Sequence, residues 1–564
     1  MGSTALLLAA CAGTVSQGEA PAPAADGPLT ARFERFTYEG RDPAFEREVG
    51  PDEYLNPILA GFYPDPGITQ VGGDYYLVNS TFAYYPGLPV FHSTDLVNWT
   101  QVGNVIDRPD MLDFDGLELS RAVFAPTIEE HEGTFYVANT CVDCGGNFIV
   151  TATDPAGPWS DPIFMPEVGG IDPSVFFDDD GKVYVINNDG PEGEPRYQGH
   201  RAIWIREVDP ETFESLTEQQ VLLDGGVRPE ENPIWIEGPH VYKIDGTYYL
   251  SAAEGGTAVN HSQVVLRSDS VTGPYEPYEG NPILTARHLD PDREMPIAYV
   301  GHAAYVQDDE GEWWATFLGV RPYEDEFFNT GRETFLMPVR WEDGWPIMTE
   351  GDEEVPYVAK RPALPDAGTP DLPMHGNFTV TEEFDEPLGF EWMTVRIPKT
   401  EWWSAGDGAL TIEARPEALG ETLQPSLWVR RQQHIAGDAS TSVTFTPQEA
   451  GDEAGLVAMQ SDAYWYKLGL AGSEDGPVLR LRRRAGADSP EAGEVVAEAD
   501  GEGLAGQPLE LRVTFDGADY DFAYRPEGGR WTTLAEGVDG KILSTSVAGG
   551  FVGATLGMYA EKGE

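Results

Sequence analysis

Basic residues are scarce in this chain: 35 Lys and Arg stand against 96 Asp and Glu in 564 residues, a formal net charge of −61. Nucleic acids and anionic lipid surfaces are bound by clustered Lys and Arg, so neither is expected as a partner. Apolar runs are also short, and none reaches the roughly 20 residues that a membrane-spanning helix requires. The acidity itself is typical of a solvated surface and does not indicate a ligand.

Cysteine is also rare, with three residues in the whole chain. Two of them, Cys141 and Cys144, form one isolated C-x-x-C pair. A structural zinc site requires four ligands, and no second pair exists to complete one. The pair is therefore predicted to be a local disulfide or two free thiols, without a metal.

The third cysteine, Cys11, lies in a segment with the features of an export signal. The apolar run from Ala5 to Ala10 precedes it, and a stretch rich in Pro, Ala and Gly follows it. Leu8-Ala9-Ala10-Cys11 resembles a bacterial lipoprotein box, in which the cysteine is lipidated. We interpret residues 1–30 as a leader and tether, and expect an exported, periplasmic or cell-surface lipoprotein of a bacterium, with a lipid anchor at Cys11. The alternatives are an ordinary signal peptide or a disordered leader.

Glycine and aromatic residues are plentiful, and they recur in one short pattern. Five times between residues 61 and 314, a small residue or proline beside a polar one is followed, about eight residues later, by a glycine and paired aromatic or β-branched residues. Each copy is typical of a β-hairpin. The recurrence of one such pattern along the chain is typical of a repeat architecture. The copies predict a five-bladed β-propeller. The turn glycines are Gly73, Gly133, Gly181, Gly246 and Gly311.

The repeats also suggest where the domains begin and end. The propeller is predicted to span residues 50–360, and residues 361–378 are a proline-rich linker. Strand patterns such as Leu509 to Phe515 continue beyond it, so that residues 379–564 are predicted to form a β-sandwich of the jelly-roll type. The expected fold class is all-β.

Acidic residues recur at one position of the repeat. Equivalent positions of the blades meet at the axis of a propeller, and here they are expected to hold Asp65, Asp172, Glu237 and His302. Carboxyl groups held close together raise at least one pKa, which leaves a protonated acid beside an ionised base near neutral pH. Glycoside hydrolysis requires such a pair, because one carboxylate activates water and one carboxylic acid protonates the leaving oxygen.

Each acid taken alone has a simpler interpretation, since Asp-Pro and Glu-Gly-Pro are common turn sequences. Their recurrence in one repeat favours catalysis. The main alternative is a non-catalytic carbohydrate-binding surface lipoprotein. Several aromatic residues near the same strand ends could stack on sugars, although most aromatic residues of a propeller form blade cores. They are Phe82, Tyr84, Tyr85, Phe124 and Trp235.

Four motifs together resemble family 43 glycoside hydrolases, which include β-xylosidases and α-L-arabinofuranosidases. They are Gly61-Phe62-Tyr63-Pro64-Asp65-Pro66, Gly170-Ile171-Asp172-Pro173, Ile236-Glu237-Gly238-Pro239-His240 and Gly331-Arg332-Glu333-Thr334. Past the linker, Trp428 to His434 and Gly557 to Ala560 resemble the concanavalin-like sandwich of the xylosidase branches. The resemblance covers nearly the whole chain after residue 50.

The resemblance implies a role for each catalytic candidate. Asp65 would be the general base and Glu237 the general acid. Asp172 would keep the pKa of the acid up and orient it. Arg332 would bind the substrate, with a plain ion pair to one of the acids as an equal alternative.

The resemblance further implies what surrounds the acids. His302 matches an axial histidine that is sometimes associated with a hydrated calcium ion, although no acidic cluster specifies calcium here. No cofactor is expected to be required. Phe82 matches an aromatic residue of the pocket wall, and Phe124 occupies a position where many members have Trp.

The family acts by inversion, which requires base and acid carboxyls about 6.5–9.5 Å apart. The expected reaction is release of D-xylose from the non-reducing ends of xylo-oligosaccharides, with α-L-arabinofuranosidase activity. The alternative is an enzyme acting mainly as an α-L-arabinofuranosidase on arabinose-substituted oligosaccharides. The sandwich is expected to lean over the pocket mouth and limit the enzyme to chain ends. The sequence does not indicate the oligomeric state.

Overall fold

Antiparallel β-strands make up almost all of the regular structure in the computed structural model, which describes Met1 and residues 27–563. Cys11 and the lipoprotein-like box lie outside the described residues, so the anchor stays a prediction. Five sheets form the propeller, one for each copy of the repeat. The tight turn between the two inner strands falls at the repeat glycine, and Gly181 and Gly311 there have φ of 84° and 87°, a region that favours glycine.

Each blade runs outward from its innermost strand. Blade 1 contains Gly67–Val71, Asp74–Val78, Gly87–Ser93 and Thr100–Ile106. Blade 2 contains Thr127–His131, Thr134–Val142, Gly146–Ala152 and Ile163–Phe164, with Ala122–Val123 beside its second strand. Blade 3 contains Ile171–Phe177, Val183–Asp189, Ala202–Val208 and Gln220–Asp224. Blade 4 contains Glu237–Ile244, Thr247–Glu254, Ser262–Ser268 and Glu276–Pro277, with Leu284–Thr285 beside its third strand. Blade 5 contains Ala298–Gln307, Trp313–Val320, Glu333–Glu342 and Trp345–Ile347.

The innermost strands pack side by side in a closed ring. The strand of blade 1, Gly67–Val71, packs against its counterparts in both blade 2 and blade 5. The segment that precedes this strand is hydrogen-bonded to blade 5. Ile58 N donates to Thr334 O at 2.9 Å, and Asn56 forms two hydrogen bonds with the backbone of Leu336. Because all five innermost strands start at the same end of the ring, the residues at their starts come together.

A β-bulge at the start of the innermost strand shapes this end of blades 3, 4 and 5. The pairing register shifts between residues 171 and 174, 237 and 240, and 301 and 304. The bulged residues have left-handed φ values, 54° at Asp172, 55° at Gly238 and 54° at His302. Glu237 therefore lies one residue earlier than Asp172 in the repeat. The expectation that both share one position is wrong by one residue, because the bulge and not the residue type sets the register.

The second domain is a sandwich of an eight-stranded and a six-stranded sheet, with one apolar core between them. The larger sheet contains Trp403–Gly406, Ala409–Glu413, Thr30–Gly40, Ala436–Thr444, Leu509–Asp516, Asp519–Pro526 and Thr532–Asp539, with Thr379–Glu382 beside Thr30–Gly40. The smaller sheet contains Leu427–Arg431, Thr555–Glu561, Glu453–Ser461, Tyr464–Ser473, Gly476–Ala485 and Glu494–Asp500.

One strand of the sandwich comes from the N-terminal side of the propeller. Thr30–Gly40 pairs with Ala436–Thr444 along its length, and it alternates buried and more exposed residues as a strand facing a core does. These residues lie outside both domains predicted from the sequence, 50–360 and 379–564. From Thr30 the chain thus runs through the sandwich, forms the propeller and returns to the sandwich, so the two domains are joined at both ends of the propeller.

Short elements complete the fold. Tyr84–Tyr85 pairs with Thr394–Val395, and Glu53–Leu55 pairs with Val358–Lys360. Among residues 27–563 the helices are the 3₁₀ turns Pro43–Glu46, Pro229–Glu231 and Gly540–Leu543 and the α-helix Thr545–Ala548. In the part of the chain that the structure describes, no helix is long and apolar enough to cross a membrane. Cys141 and Cys144 are joined by a disulfide bond, the first of the two predicted alternatives.

Candidate active site

Asp65 lies at the start of blade 1 and is the most strongly held of the three acids. Arg332 Nη1 donates to its Oδ1 at 3.0 Å, Ser80 Oγ donates to its Oδ2 at 2.5 Å, and His302 Nδ1 lies 3.8 Å from Oδ1. Burial on its own raises the pKa of Asp65, but Arg332, His302 and the Ser80 hydrogen bond outweigh it and hold the pKa below its usual value. Asp65 is therefore ionised at neutral pH, as a general base must be.

Glu237 has the opposite electrostatic environment. Burial raises its pKa well above the usual value, and the charges of Asp172 and Asp65 raise it further. The positive charges of Arg332 and Arg201 offset only part of this rise. A carboxyl group in this environment keeps its proton near neutral pH and can donate it to a leaving oxygen.

Asp172 connects the other two acids. Its Oδ2 accepts a hydrogen bond from the backbone N–H of Gly238 at 3.0 Å, directly after Glu237. Burial raises the pKa of Asp172; His302 and this hydrogen bond lower it, and the charge of Asp65 raises it. Asp172 therefore acts on Glu237 in two ways: through its charge and through the backbone that carries the acid.

His302, near the start of blade 5, lies between Asp65 of blade 1 and Gly238 of blade 4. Its imidazole lies directly over Gly238, where a Cβ atom would come within 2.7 Å of Nε2. Calcium prefers several oxygen ligands. The carboxylate beside His302, Asp65, is already paired with Arg332, and residues 27–563 contain no group of three or more His, Cys, Asp or Glu able to hold a metal ion. The residues present do not form a calcium ligand set at His302.

Three phenylalanine rings form one wall of the site. Phe82 and Phe551 are stacked, with ring centroids 5.6 Å apart and planes at 22°, and Phe124 packs edge-on against both. The guanidinium of Arg332 lies 5.8 Å from the centroid of Phe82 and 5.3 Å from that of Phe551. The phenylalanine wall therefore contacts Arg332, which in turn is paired with Asp65. A sugar ring would be held between this wall and Asp65.

Phe551 belongs to the sandwich, and the contacts between the domains fix its position. Its backbone N–H donates to Ser120 Oγ at 2.8 Å. Nearby, Arg431 of the sandwich donates to Phe62 O at 2.8 Å and lies 4.0 Å from the ring centroid of Tyr63, just before Asp65 in the chain. The sandwich thus supplies part of the wall and supports the segment that carries Asp65.

The remaining aromatic candidates, Tyr84, Tyr85 and Trp235, lie in different environments. Tyr84 and Tyr85 are buried, and both belong to the strand that pairs with the sandwich, so they serve the domain interface and not the pocket. Trp235 is 39% exposed and lies two residues before Glu237. Ser80, Phe551 and Arg201 also act at the site, although the sequence does not predict them. No repeat or motif marks them. Ser80 meets Asp65 through strand pairing within blade 1, Arg201 comes from a loop of blade 3, and Phe551 reaches the site through domain docking.

A propeller whose axis holds an ionised carboxylate and a protonated carboxylic acid, with an aromatic wall beside them, defines a hydrolase of glycosidic bonds. Residues 54–346 match the family model for glycosyl hydrolases family 43, and residues 381–564 match that for the beta xylosidase C-terminal concanavalin A-like domain. The chain belongs to glycoside hydrolase family 43 and is a glycoside hydrolase. The predicted family and the all-β architecture of propeller and sandwich are confirmed.

Similar proteins match over nearly their whole length. The chain is 38% identical to a xylosidase/arabinosidase of Butyrivibrio fibrisolvens over 524 residues, which is 90% of this chain and 95% of that protein. It is 36% identical to the non-reducing end alpha-L-arabinofuranosidase BoGH43B of Bacteroides ovatus, covering 90% of this chain and 91% of the relative. A solved GH43_12 structure from a capybara gut metagenome has a TM-score of 0.88 and 40% identity, covering 94% of this chain and 99% of that one.

Proposed function

We propose that this enzyme releases D-xylose from the non-reducing ends of xylo-oligosaccharides and also removes α-L-arabinofuranosyl groups. One observation carries the chemistry: the pKa of Asp65 is lowered while that of Glu237 is raised, although both are buried in one site. The relatives named xylosidase/arabinosidase and alpha-L-arabinofuranosidase support the two sugars.

The mechanism that we propose is a single displacement. Asp65 accepts a proton from water as the water oxygen attacks the anomeric carbon. Glu237 gives its proton to the glycosidic oxygen as the bond to the leaving sugar breaks. The anomeric configuration is inverted. Asp65 then holds a proton and Glu237 a negative charge, and exchange with solvent restores both.

Arg332 has two tasks in this proposal. Its Nη1 holds Asp65 in the ionised state, which is the ion pair considered from the sequence. Its Nε is buried and has no hydrogen-bond partner among the described residues, so this N–H is available to a sugar hydroxyl. Ion pairing and substrate binding are therefore compatible in one side chain.

The position of Phe551 supports cleavage at the ends of the sugar chain. The buried acids lie beside a wall completed by the sandwich, so one side of the site is closed to a continuing polysaccharide. A terminal sugar can enter such a site end-first.

The test compares kcat/KM on para-nitrophenyl β-D-xylopyranoside and α-L-arabinofuranoside, together with release of xylose from xylobiose. We expect activity on all three, with the xyloside preferred. A reversed preference would make the enzyme mainly an α-L-arabinofuranosidase. Release of no sugar from any of them would favour the non-catalytic carbohydrate-binding lipoprotein.

We also propose that the chain is exported and lipidated at Cys11, supported by the apolar run and the box before this residue. Metabolic labelling with palmitate in a bacterial host should mark the full chain and leave Cys11→Ser unlabelled. Equal labelling of both would place any lipid elsewhere.

A further inference from the structure

An exposed aromatic ring stands next to the general acid and has no part in the chemistry described above. Trp235 is 39% exposed and its neighbour Ile234 is 37% exposed, although both are large apolar residues. Glu237 begins the innermost strand of blade 4 only two residues later. Exposed apolar side chains grouped at the mouth of a site are typical of a ligand-contacting surface.

The backbone holds this ring in place. Trp235 N donates to Gly199 O at 2.8 Å, and Gly255 N donates to Ile234 O at 2.9 Å. On the loop of blade 3, Tyr197 Oη donates to Pro233 O at 2.7 Å. Trp235 itself has a φ of 51°, a left-handed value that bulky residues rarely adopt and that the surrounding structure must hold.

Glycines make room for the indole. A Cβ atom at Gly199 would lie 2.9 Å from Ile234 and 3.4 Å from Trp235 Nε1, and one at Gly256 would lie 3.5 Å from Trp235 Cδ1. The ring therefore rests against two backbone segments that carry no side chain. Its orientation is set by the fold, as a binding platform requires.

Arg201 covers one face of the ring and connects it to the acids. Its guanidinium carbon lies 5.2 Å from the centroid of the Trp235 ring, and its Nε donates to Asn188 Oδ1 at 3.0 Å. The charge of Arg201 acts on both Asp172 and Glu237. Trp235 is thus placed on the Glu237 side of the site, with its exposed surface toward solvent.

We propose that Trp235, backed by Arg201, is the platform that binds the leaving-group sugar of an oligosaccharide. This inference rests on the proposed function. Glu237 protonates the glycosidic oxygen, so the departing sugar must lie on the Glu237 side, while the sugar to be released lies toward Asp65 and the phenylalanine wall. The C–H groups on one face of a pyranose ring pack well against an indole surface, and such contacts contribute specificity without chemistry.

The experiment compares two substrates that differ on the leaving side. Xylobiose has a sugar there, and β-D-xylopyranosyl fluoride has none. We expect Trp235→Ala to lower kcat/KM for xylobiose by about 3- to 10-fold and to leave the fluoride within about twofold of wild type. Trp235→Phe should retain most of the activity on xylobiose. Phe390→Ala, which removes another exposed ring on the sandwich, should change neither substrate.

Three results would overturn the inference. Equal losses on both substrates would mean that Trp235 only supports Glu237, and no loss on xylobiose would mean that it binds nothing there. If circular dichroism shows that Trp235→Ala is unfolded, Trp235→Leu keeps the bulk without the ring face and must show the same split. A wild-type enzyme that cleaves neither substrate contradicts the proposed function itself, and the platform with it.

If the wild type prefers arabinofuranose, the matching pair is an arabinose-substituted xylo-oligosaccharide and α-L-arabinofuranosyl fluoride.

Discussion

The carboxylate of Asp172 accepts a hydrogen bond from the backbone N–H of Gly238 at 3.0 Å, so two adjacent blades are joined one residue after Glu237. This bond is possible because the β-bulge of blade 4 turns the Gly238 N–H toward blade 3. Asp172 therefore sets both the position of the acid and the charge beside it.

Asp172→Asn separates these two effects. The amide oxygen can still accept the Gly238 hydrogen bond, but the negative charge that raises the pKa of Glu237 is gone. The pKa of Glu237 falls, the acid loses its proton at lower pH, and the alkaline limb of the pH profile of kcat/KM moves downward. Asp178→Asn, one residue past the other end of the strand Ile171–Phe177, is the control and should not move the limb. An unmoved limb with full activity in Asp172→Asn would make Asp172 purely structural.

Gly238→Ala tests the packing of His302. The new Cβ would come within 2.7 Å of the imidazole, at a residue whose φ is 55°. We expect a loss of stability of roughly 1–3 kcal/mol from the strained backbone and a fall in kcat from displacement of His302 and Glu237. Thermal melting and steady-state kinetics measure the two effects.

The matched control for this change is Gly246→Ala in the turn of the same blade. Its φ is 84°, but no atom lies within 4 Å of the added Cβ. It should lose stability and keep kcat. If Gly238→Ala also keeps its kcat, the contact between Gly238 and His302 has no bearing on catalysis.

Phe551→Ala tests the contribution of the sandwich. It removes the ring stacked on Phe82 and the cover over Arg332. We expect kcat/KM on xylobiose to fall by about 3- to 10-fold, with the pH profile unchanged because no charge is altered. Val547→Ala, an exposed residue of the adjacent helix, serves as the control. Full activity in Phe551→Ala would leave the sandwich without a role in binding.

Much of this organisation could be predicted from the sequence, since the hairpin pattern and the turn glycines follow from local backbone preferences. The acids Asp65 and Asp172 stand out for the same reason, as each directly precedes a proline at a repeated position. The one-residue offset of Glu237 could not be predicted, because a bulge depends on pairing with the next strand. Phe551 could not be predicted either, since it reaches Phe82 only when two domains dock.

The general-acid role of Glu237 is the centre of this account, and Glu237→Ala tests it most directly. Xylobiose needs a proton on its leaving oxygen, whereas 2,4-dinitrophenyl β-D-xyloside releases a phenolate that does not. The account predicts that kcat/KM for xylobiose falls by about 10²–10⁴-fold while the dinitrophenyl substrate is largely spared. Equal losses on the two substrates would contradict it.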